Sequence, residues 1–504
     1  MQPEVHRPWA ALVASVVSVC LVAVVAAAPG SPFQPLLPNG AQPSGPFRWL
    51  ADLVASDKLH GSAFAAVGVA AVTFAALAFL LVLRETWRGS LSLRVVLLLA
   101  VGYHVVVLLL PLLFSRDVFS YAYYGRIASA YHANPYVFTP SDFPGDPLAA
   151  FVGPRWASTP AVYGPLFTLL SSVVTRVVHS VSGLIVAFRW LAAIASLSTI
   201  AVVARLARKL RPGREAFAVA AFGLNPVVLF QSVGSGHNDL LVALAVAGAL
   251  ALLAARRDLL ATAALTLGAL VKATAAGPLL LLVVVAVARR ERGERTRALL
   301  SHVGVAACLG ALFAAPFIQT KDPSLGMVEL AQHEGWLAPS RLFRRLLDAV
   351  SGGTLGVVAR VAFPLAIALV MFVIARALAR RAYSVDVAAQ GATWGWALLF
   401  LMLLGPVLLP WYVTWTLPLV WLLPRSPRVT LVGIGAALTV SQFTSEPALF
   451  ARAYDANLLF GHYVVTPVVI GLLGWLSFDL WRRLRDGLPL EEEAREIAPA
   501  ARDG

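Results

Sequence analysis

Apolar runs of about twenty residues recur from one end of this chain to the other, the length that crosses the hydrocarbon of a bilayer. Such runs leave two architectures, because in lipid every backbone N–H and C=O must be satisfied by a helix or a closed barrel. The runs are continuous rather than alternating, which excludes the barrel. Of 504 residues, 59% are hydrophobic and 13% are charged. A soluble domain carries about a quarter charged residues. The sequence therefore predicts an all-α polytopic integral membrane protein with about 12–14 transmembrane helices.

The formal charge of +14 would suit nucleic acid. In a membrane protein, however, Lys and Arg accumulate in cytoplasmic loops. Basic clusters at 205–214, 256–257, 289–297, 376–381, 425–428 and 482–485 alternate with loops poorer in positive charge at 234–239, 319–352, 410–412 and 445–457. That alternation puts the clusters inside, the loops outside and both termini in the cytoplasm. The first run, 9–28, ends in Ala26-Ala27-Ala28, which resembles a signal-peptide cleavage site. It is longer than an ordinary signal core and reads as a retained helix. An external loop over 29–60 follows, then a run over 62–83 that delivers Arg84, Arg88 and Arg94 inside, and a run over 95–114 that returns outward.

One segment disturbs the count. Residues 165–182 contain Arg176 and His179, and if they crossed, the cluster at 205–214 would lie outside. The reading that keeps the alternation makes 165–182 an interfacial helix and 184–203 the true span. Cys20 and Cys308 lie inside apolar runs and read as lipid- or core-facing thiols. The charged tail 491–504 reads as disordered and cytoplasmic.

The stretch 115–165 breaks the apolar pattern with aromatic, Pro- and Gly-rich sequence. Asp117 stands where the run 95–114 stops. A carboxylate there is open to outer water and to a lipid head group together, and can act as a general base on a hydroxyl. It can equally pair with Arg116 and terminate a helix. Tyr121, Tyr123, Tyr124, Arg126, Tyr131, His132, Asn134 and Tyr136 follow in quick succession. Aromatic rings stack on sugar faces, and Arg and His hold phosphate, although Tyr also forms ordinary interfacial belts.

Gly236-His237-Asn238-Asp239 places three polar side chains after Asn225-Pro226 and an apolar run. A helix cap explains one of the three; an orienting site for a phosphate, a sugar or a metal would use all of them. Lys272 and Arg189 sit inside apolar segments, where an ionisable group is a functional candidate or snorkels to the interface. Tyr163, His333, Trp411 and Tyr412 are acceptor-side candidates, with an aromatic belt the duller reading and the favoured one for Trp411, Trp415 and Trp421. No Gly-rich phosphate loop, zinc-type cysteine spacing or Gly-x-Ser-x-Gly elbow occurs. No inverted pair of interrupted helices is evident either.

Asp117 after an early span, the aromatic loop, Tyr163-Gly164-Pro165-Leu166 and Phe188-Arg189-Trp190 together resemble the GT-C superfamily of lipid-phosphosugar-dependent glycosyltransferases. The segment DVFSYAYYGRIASAYHANPY, Asn225-Pro226 with Gly236-His237-Asn238-Asp239, Leu270-Val271-Lys272 and Pro410-Trp411-Tyr412 resemble the actinobacterial polyprenol-phosphomannose-dependent α(1→6)-mannosyltransferases, over residues 60–480. The resemblance implies transfer of mannose from polyprenyl phosphomannose to an α(1→6)-mannan glycolipid acceptor, in lipomannan and lipoarabinomannan assembly on the outer face of the plasma membrane. It carries the superfamily's loop acid onto Asp117. Many relatives show a second acid in that loop; here Asp142 and Asp146 are the remaining acids, and neither adjoins the first.

On this reading residues 1–490 form one GT-C transmembrane domain, with 115–182 a catalytic external loop and 319–352 a second external loop. Inversion of a β-linked sugar phosphate needs one base and positive charge for the leaving phosphate. Asp117 is the expected base. Arg126, His132, Tyr124, Arg189, His237, Asn238, Asp239 and Lys272 are the expected donor phosphate and sugar ligands. No cofactor is required by this chemistry, no metal site is assigned, and a divalent metal at His237 and Asp239 stays open. Partners are the lipid donor, the glycolipid acceptor and membrane lipid, with no nucleic acid. The alternatives are a GT-C transferase using another polyprenyl-phosphate sugar or making an α(1→2) linkage, and a glycan-lipid transporter or flippase.

Overall fold

The structure is a computed structural model that describes residues 8–38, 49, 61–318, 335, 338–441 and 451–492. Every regular element among the described residues is helical. In order these are α1 (Pro8–Ala27), α2 (Gly61–Trp87), α3 (Leu93–Leu108), α4 (Asp117–Ser129), α5 (Pro165–Val177), α6 (Val181–Leu210), α7 (Glu215–Gly223), α8 (Asp239–Ala254), α9 (Asp258–Val271) and α10 (Ala276–Ala288). There follow α11 (Arg295–Ala314), α12 (Pro339–Ser351), α13 (Gly356–Arg380), α14 (Val387–Leu404), α15 (Arg425–Ser441), α16 (Ala451–Phe460) and α17 (Thr466–Arg485).

Among the described residues, 8 helices are long and apolar enough to cross a membrane. Several others are shorter because the chain breaks them. Asn225-Pro226 ends α7, since proline has no N–H to continue the ladder, and Val227–Val233 continues as a π-helix. Lys272 leaves α9 in an extended conformation (φ −154°, ψ 128°) before α10 begins. Pro410–Trp415 and Leu417–Leu422 are 3-10 turns instead of an α-helix. The chain thus carries interrupted helices, which the sequence reading did not single out. Apolar composition does not register a break made by one proline or one lysine.

The bundle is apolar outside as well as inside. On α11 only His302 and Ala314 are buried, while Leu300, Val303 and Leu312 are exposed. On α13, Val361, Leu365, Leu369 and Phe372 are exposed. Surfaces of this kind are stable only against lipid, so the chain is a polytopic membrane protein. Cys20 and Cys308 lie on these outward faces.

The loop after α3 folds back over the bundle. The helix α5 has 13 residues, about 20 Å at 1.5 Å per residue, against about 30 Å of hydrocarbon. It buries Phe167, Thr168, Ser171, Ser172 and Thr175 on one face and leaves Val173 and Val177 exposed. The helix α4 crosses it where Gly125 meets the Ser171 backbone; a Cβ there would lie 2.5 Å from the Ser171 carbonyl oxygen. The end of the loop docks on the break after α9. Gly164 N donates to Val271 O at 2.9 Å, and a Cβ on Gly164 would lie 2.1 Å from the Leu270 carbonyl oxygen.

At the other end of the chain, Glu492 is buried and binds Arg428 at 2.6 Å. Its N–H donates to Leu422 O at 3.0 Å. Residues 491 and 492 therefore belong to the fold and not to a disordered tail. An acidic residue in a polar tail gives no sequence sign that a buried arginine awaits it. Of the second external loop, residues 319–334, 336 and 337 lie outside the described residues, and α12 is an amphipathic helix.

Gly164 has φ −67°, open to any residue, so steric contact alone demands glycine. Gly164→Ala is expected to cost about 1–3 kcal/mol by overpacking, read as a lower melting temperature of the detergent-purified protein. Gly102, with nothing within 4 Å of its Cβ position, is the control; Gly102→Ala should leave the melting temperature unchanged or raise it.

Candidate active site

Asp117 is the first residue of α4, where the helix dipole favours a carboxylate. The turn that delivers it is held on both sides. Phe114 adopts a left-handed φ of 55°, and its N–H donates to Phe33 O at 2.7 Å. Leu113 N donates to Gly234 O at 3.2 Å, and the Ser235 hydroxyl donates to Leu113 O at 2.5 Å. These bonds fasten the end of the third helix to the turn before α8. Gly236 is required twice in that turn. It has φ 71°, and a Cβ there would meet Val118 at 2.8 Å.

The stitched backbones bring Asp117 beside His237. Asp117 Oδ2 lies 3.5 Å from His237 Nδ1, and the same nitrogen is 3.2 Å from the hydroxyl of Tyr121, one helical turn beyond Asp117. The other face of the arrangement is Trp411, stacked on the imidazole at 3.7 Å and 18°. Burial, aided by the nearby charge of Lys272, holds His237 well below its ordinary range, so the ring is neutral. Burial also pushes Asp117 up to about 6, opposed by the Ser115 hydrogen bond and by Lys272, and reinforced by Asp239. Its side chain still keeps 21% of its surface accessible. Asp117 is thus a partly exposed carboxylate, poised close to neutrality, at the mouth of a buried recess.

Beneath it lies a second carboxylate with opposite treatment. Asp239 Oδ1 accepts from Lys272 Nζ at 2.7 Å and from the Trp415 indole at 2.6 Å. The Lys272 ammonium stands over the rings of Tyr412 at 4.2 Å and Trp415 at 5.0 Å, which stack on each other at 4.3 Å. Cation–π contact and the ion pair together fix the lysine at the helix break.

Several buried atoms here have no partner among the described residues: His237 Nε2, both amide atoms of Asn238, and Asp239 Oδ2. Buried polar atoms are rarely left unpaired. Asn238 occupies the N-cap position of α8 yet makes no capping bond, so capping does not account for it.

Tyr163 is buried and meets Tyr121 edge to face at 4.8 Å. Tyr124 lies further in, its hydroxyl donating to Thr159 O at 2.8 Å, where it closes the loop. Arg126 binds Asp146 at 2.8 Å, and the Tyr131 hydroxyl donates to the same oxygen at 2.9 Å. His132 is exposed, with φ 50°, past the end of α4. Arg126 is nine residues beyond Asp117, about 13 Å along the helix. The structure therefore does not bring Arg126 or His132 to the Asp117–His237 pair. Arg189 is buried and donates to Leu110 O at 2.7 Å and to Val107 O. It ties together carbonyls at the end of α3 and holds the strand of chain that leads to Asp117. His333 lies outside the described residues.

The belt reading of the late tryptophans is corrected. Trp411, Trp415 and Trp421 are 5%, 2% and 0% exposed, so they are interior groups and not interfacial anchors. Sequence reasoning named Tyr121 only among the loop aromatics, not as a partner of His237, and passed over Ser235. Tyr121 was legible as the i+4 partner of Asp117 once a helix is taken to begin there; Ser235 carried no signal.

Lys272→Met would leave Asp239 buried with one indole donor. It is expected to destabilise the protein by about 3–5 kcal/mol, and Asp239→Asn added to it should restore part of that loss in thermal melts.

The model of the family described as "Alpha-(1->6)-mannopyranosyltransferase, N-terminal domain" matches residues 13–289, more than half of the chain. One relative, alpha-(1->6)-mannopyranosyltransferase A of Mycobacterium tuberculosis, is 28% identical over 333 residues. That match spans 62% of this chain and 63% of the relative, just under two thirds of each. No solved structure matches. Asp117, His237, Asp239 and Lys272 all fall inside the stretch matched by the family model, and the chain belongs to the α-(1→6)-mannopyranosyltransferase family.

Proposed function

We propose that this protein is an inverting, membrane-bound mannosyltransferase. It moves mannose from polyprenyl phosphomannose to an α(1→6)-mannan glycolipid acceptor, with Asp117 as general base. The observation that carries the reading is the pairing of unlike carboxylates in one recess. Asp117 is half-free and held up near 6, while Asp239 is clamped by Lys272 and Trp415. A carboxylate held by a cation and an indole is committed to those partners, which leaves Asp117 as the one free to take a proton.

In the reaction, the acceptor hydroxyl oxygen attacks the anomeric carbon as the bond from that carbon to the phosphate oxygen breaks. The proton of the hydroxyl goes to Asp117, and the bonding pair leaves with the polyprenyl phosphate. A phosphate leaves without a strong general acid, so one carboxylate suffices where glycoside hydrolysis uses two. It does need positive charge. Lys272 is the cation best placed for that, because Asp239, Tyr412 and Trp415 hold it at the recess. His237 is neutral and turns Nδ1 toward Asp117 and Tyr121, which suits a group that orients the base. The unpaired atoms of Asn238 and Asp239 supply both donors and an acceptor for sugar hydroxyls. The alternation of basic clusters supports an extracytoplasmic recess with both termini inside.

Membranes supplied with polyprenyl phosphomannose and a short α(1→6) oligomannoside should transfer sugar, and Asp117→Asn should lose at least about 10²-fold. Normal transfer by that variant would sink the assignment of the base. Competing donors that carry arabinose, glucose or galactose should not displace mannose. Since Asp117 acts only when ionised, the rate should rise with pH through about 6 and level off above it. A rate that instead increases on acidification would rule out a carboxylate base.

A further inference from the structure

The far end of the bundle carries a cavity unrelated to the chemistry above. It measures about 640 Å³ and lies between α2, α7 and α15, lined by Leu83, Trp87, Val429 and Val432 with Arg84 and Arg425 at its rim. The helix α3 starts six residues after Trp87 and ends near Asp117, so the cavity is a full helix length from the recess.

Its floor is held by cation–π contacts and one ion pair. Trp87 is sandwiched between Arg214 at 3.6 Å and Arg428 at 4.0 Å, and Arg428 is buried with Glu492. Arg84 and Arg425 differ. Both are exposed, and neither has an acidic partner among the described residues. Two uncompensated guanidinium groups therefore flank an apolar hollow.

The hollow continues into a second cavity of about 330 Å³, which shares Val429 and Gly433 with it and runs on past Leu438, Phe460 and Val469. From Val429 to Leu438 the groove follows α15 for about 14 Å. Val429 is 52% exposed, so the groove opens sideways to the bilayer rather than only to water.

We propose that this groove holds one anionic phospholipid, with its phosphate on Arg84 and Arg425 and an acyl chain along α15. Planar guanidinium groups match a phosphate's oxygens in pairs. The apolar continuation gives the chain a place that a free phosphate would leave empty. The basic clusters put this site in the leaflet opposite the Asp117 recess, which separates it from the donor lipid.

The test uses the full chain, delipidated in detergent, with phosphatidylglycerol as the probe. Phosphatidylglycerol should raise the melting temperature and be retained in native mass spectra. Arg84→Ala with Arg425→Ala should weaken that binding at least about tenfold, the scale of 1.4 kcal/mol. Val429→Trp, which fills the groove without touching charge, should do the same and carries the test if the double alanine variant misfolds. Equal stabilisation by phosphatidylcholine, or undiminished phosphatidylglycerol binding in both variants, would overturn the proposal. So would tighter binding of polyprenyl monophosphate, which would make the groove a carrier-lipid site, or an equal effect of inorganic phosphate alone.

Discussion

The bonds between Leu113 and the Gly234–Ser235 turn decide where everything else in the recess can be. They join two segments more than a hundred residues apart through backbone atoms and a serine hydroxyl. Backbone groups at the ends of broken helices have no ladder partner, and in an apolar surrounding each must find one. Pairing the end of one helix with the turn before another satisfies both. It also leaves Asp117 and His237 as the side chains that project from the joint. Arg189 reinforces the same joint one turn further back, since its guanidinium donates to the carbonyls of Val107 and Leu110 where the helix ends.

A second joint closes the recess from the opposite side. Gly164 lies on the Leu270–Val271 backbone with no room for a side chain, and the chain breaks at Lys272 in the next residues. The long loop and the broken helix thus locate each other. Tyr163, at the loop's closing turn, packs on Tyr121, while Lys272 turns to Asp239. The difference between the two carboxylates follows from these joints. Asp239 faces the break and receives a cation and an indole; Asp117 faces the loop mouth and receives burial with little compensation.

Much of the architecture was legible in the sequence, because hydrophobic run length and basic loop clusters are physical necessities of a bilayer. Charge alternation alone asked that the segment beginning at Pro165 not cross, and the helix there has only 13 residues. Asp117, His237, Asp239 and Lys272 stood out for a related reason. A charged residue in apolar surroundings is expensive, and the structure places these four together. Arg189 met the same criterion and Arg126 stood out as a cation of the aromatic loop, yet both have local structural partners, the carbonyls of Val107 and Leu110 and Asp146. Cost marks a residue as having a reason without saying which. The late tryptophans failed in the opposite direction. Aromatic residues at the end of an apolar run look alike whether they face a head-group layer or a buried carboxylate, and only the 3-10 path of Pro410–Trp415 turns Trp411 and Trp415 inward.

That path explains why the recess lies where it does. Irregular backbone at membrane depth is tolerated only where protein buries it. The π-helix of Val227–Val233 is buried throughout, as are both 3-10 turns from Pro410 to Leu422. Segments that cannot face lipid must face one another. Their side chains are then concentrated in one interior, away from the regular outer helices such as α11 and α13. A polar recess is the natural consequence of collecting the broken helices in the middle of the bundle. The breaks at Pro226, Lys272 and Pro410 each leave a polar or aromatic group near the point of interruption. The loop that begins at Asp117 needs only to close over them.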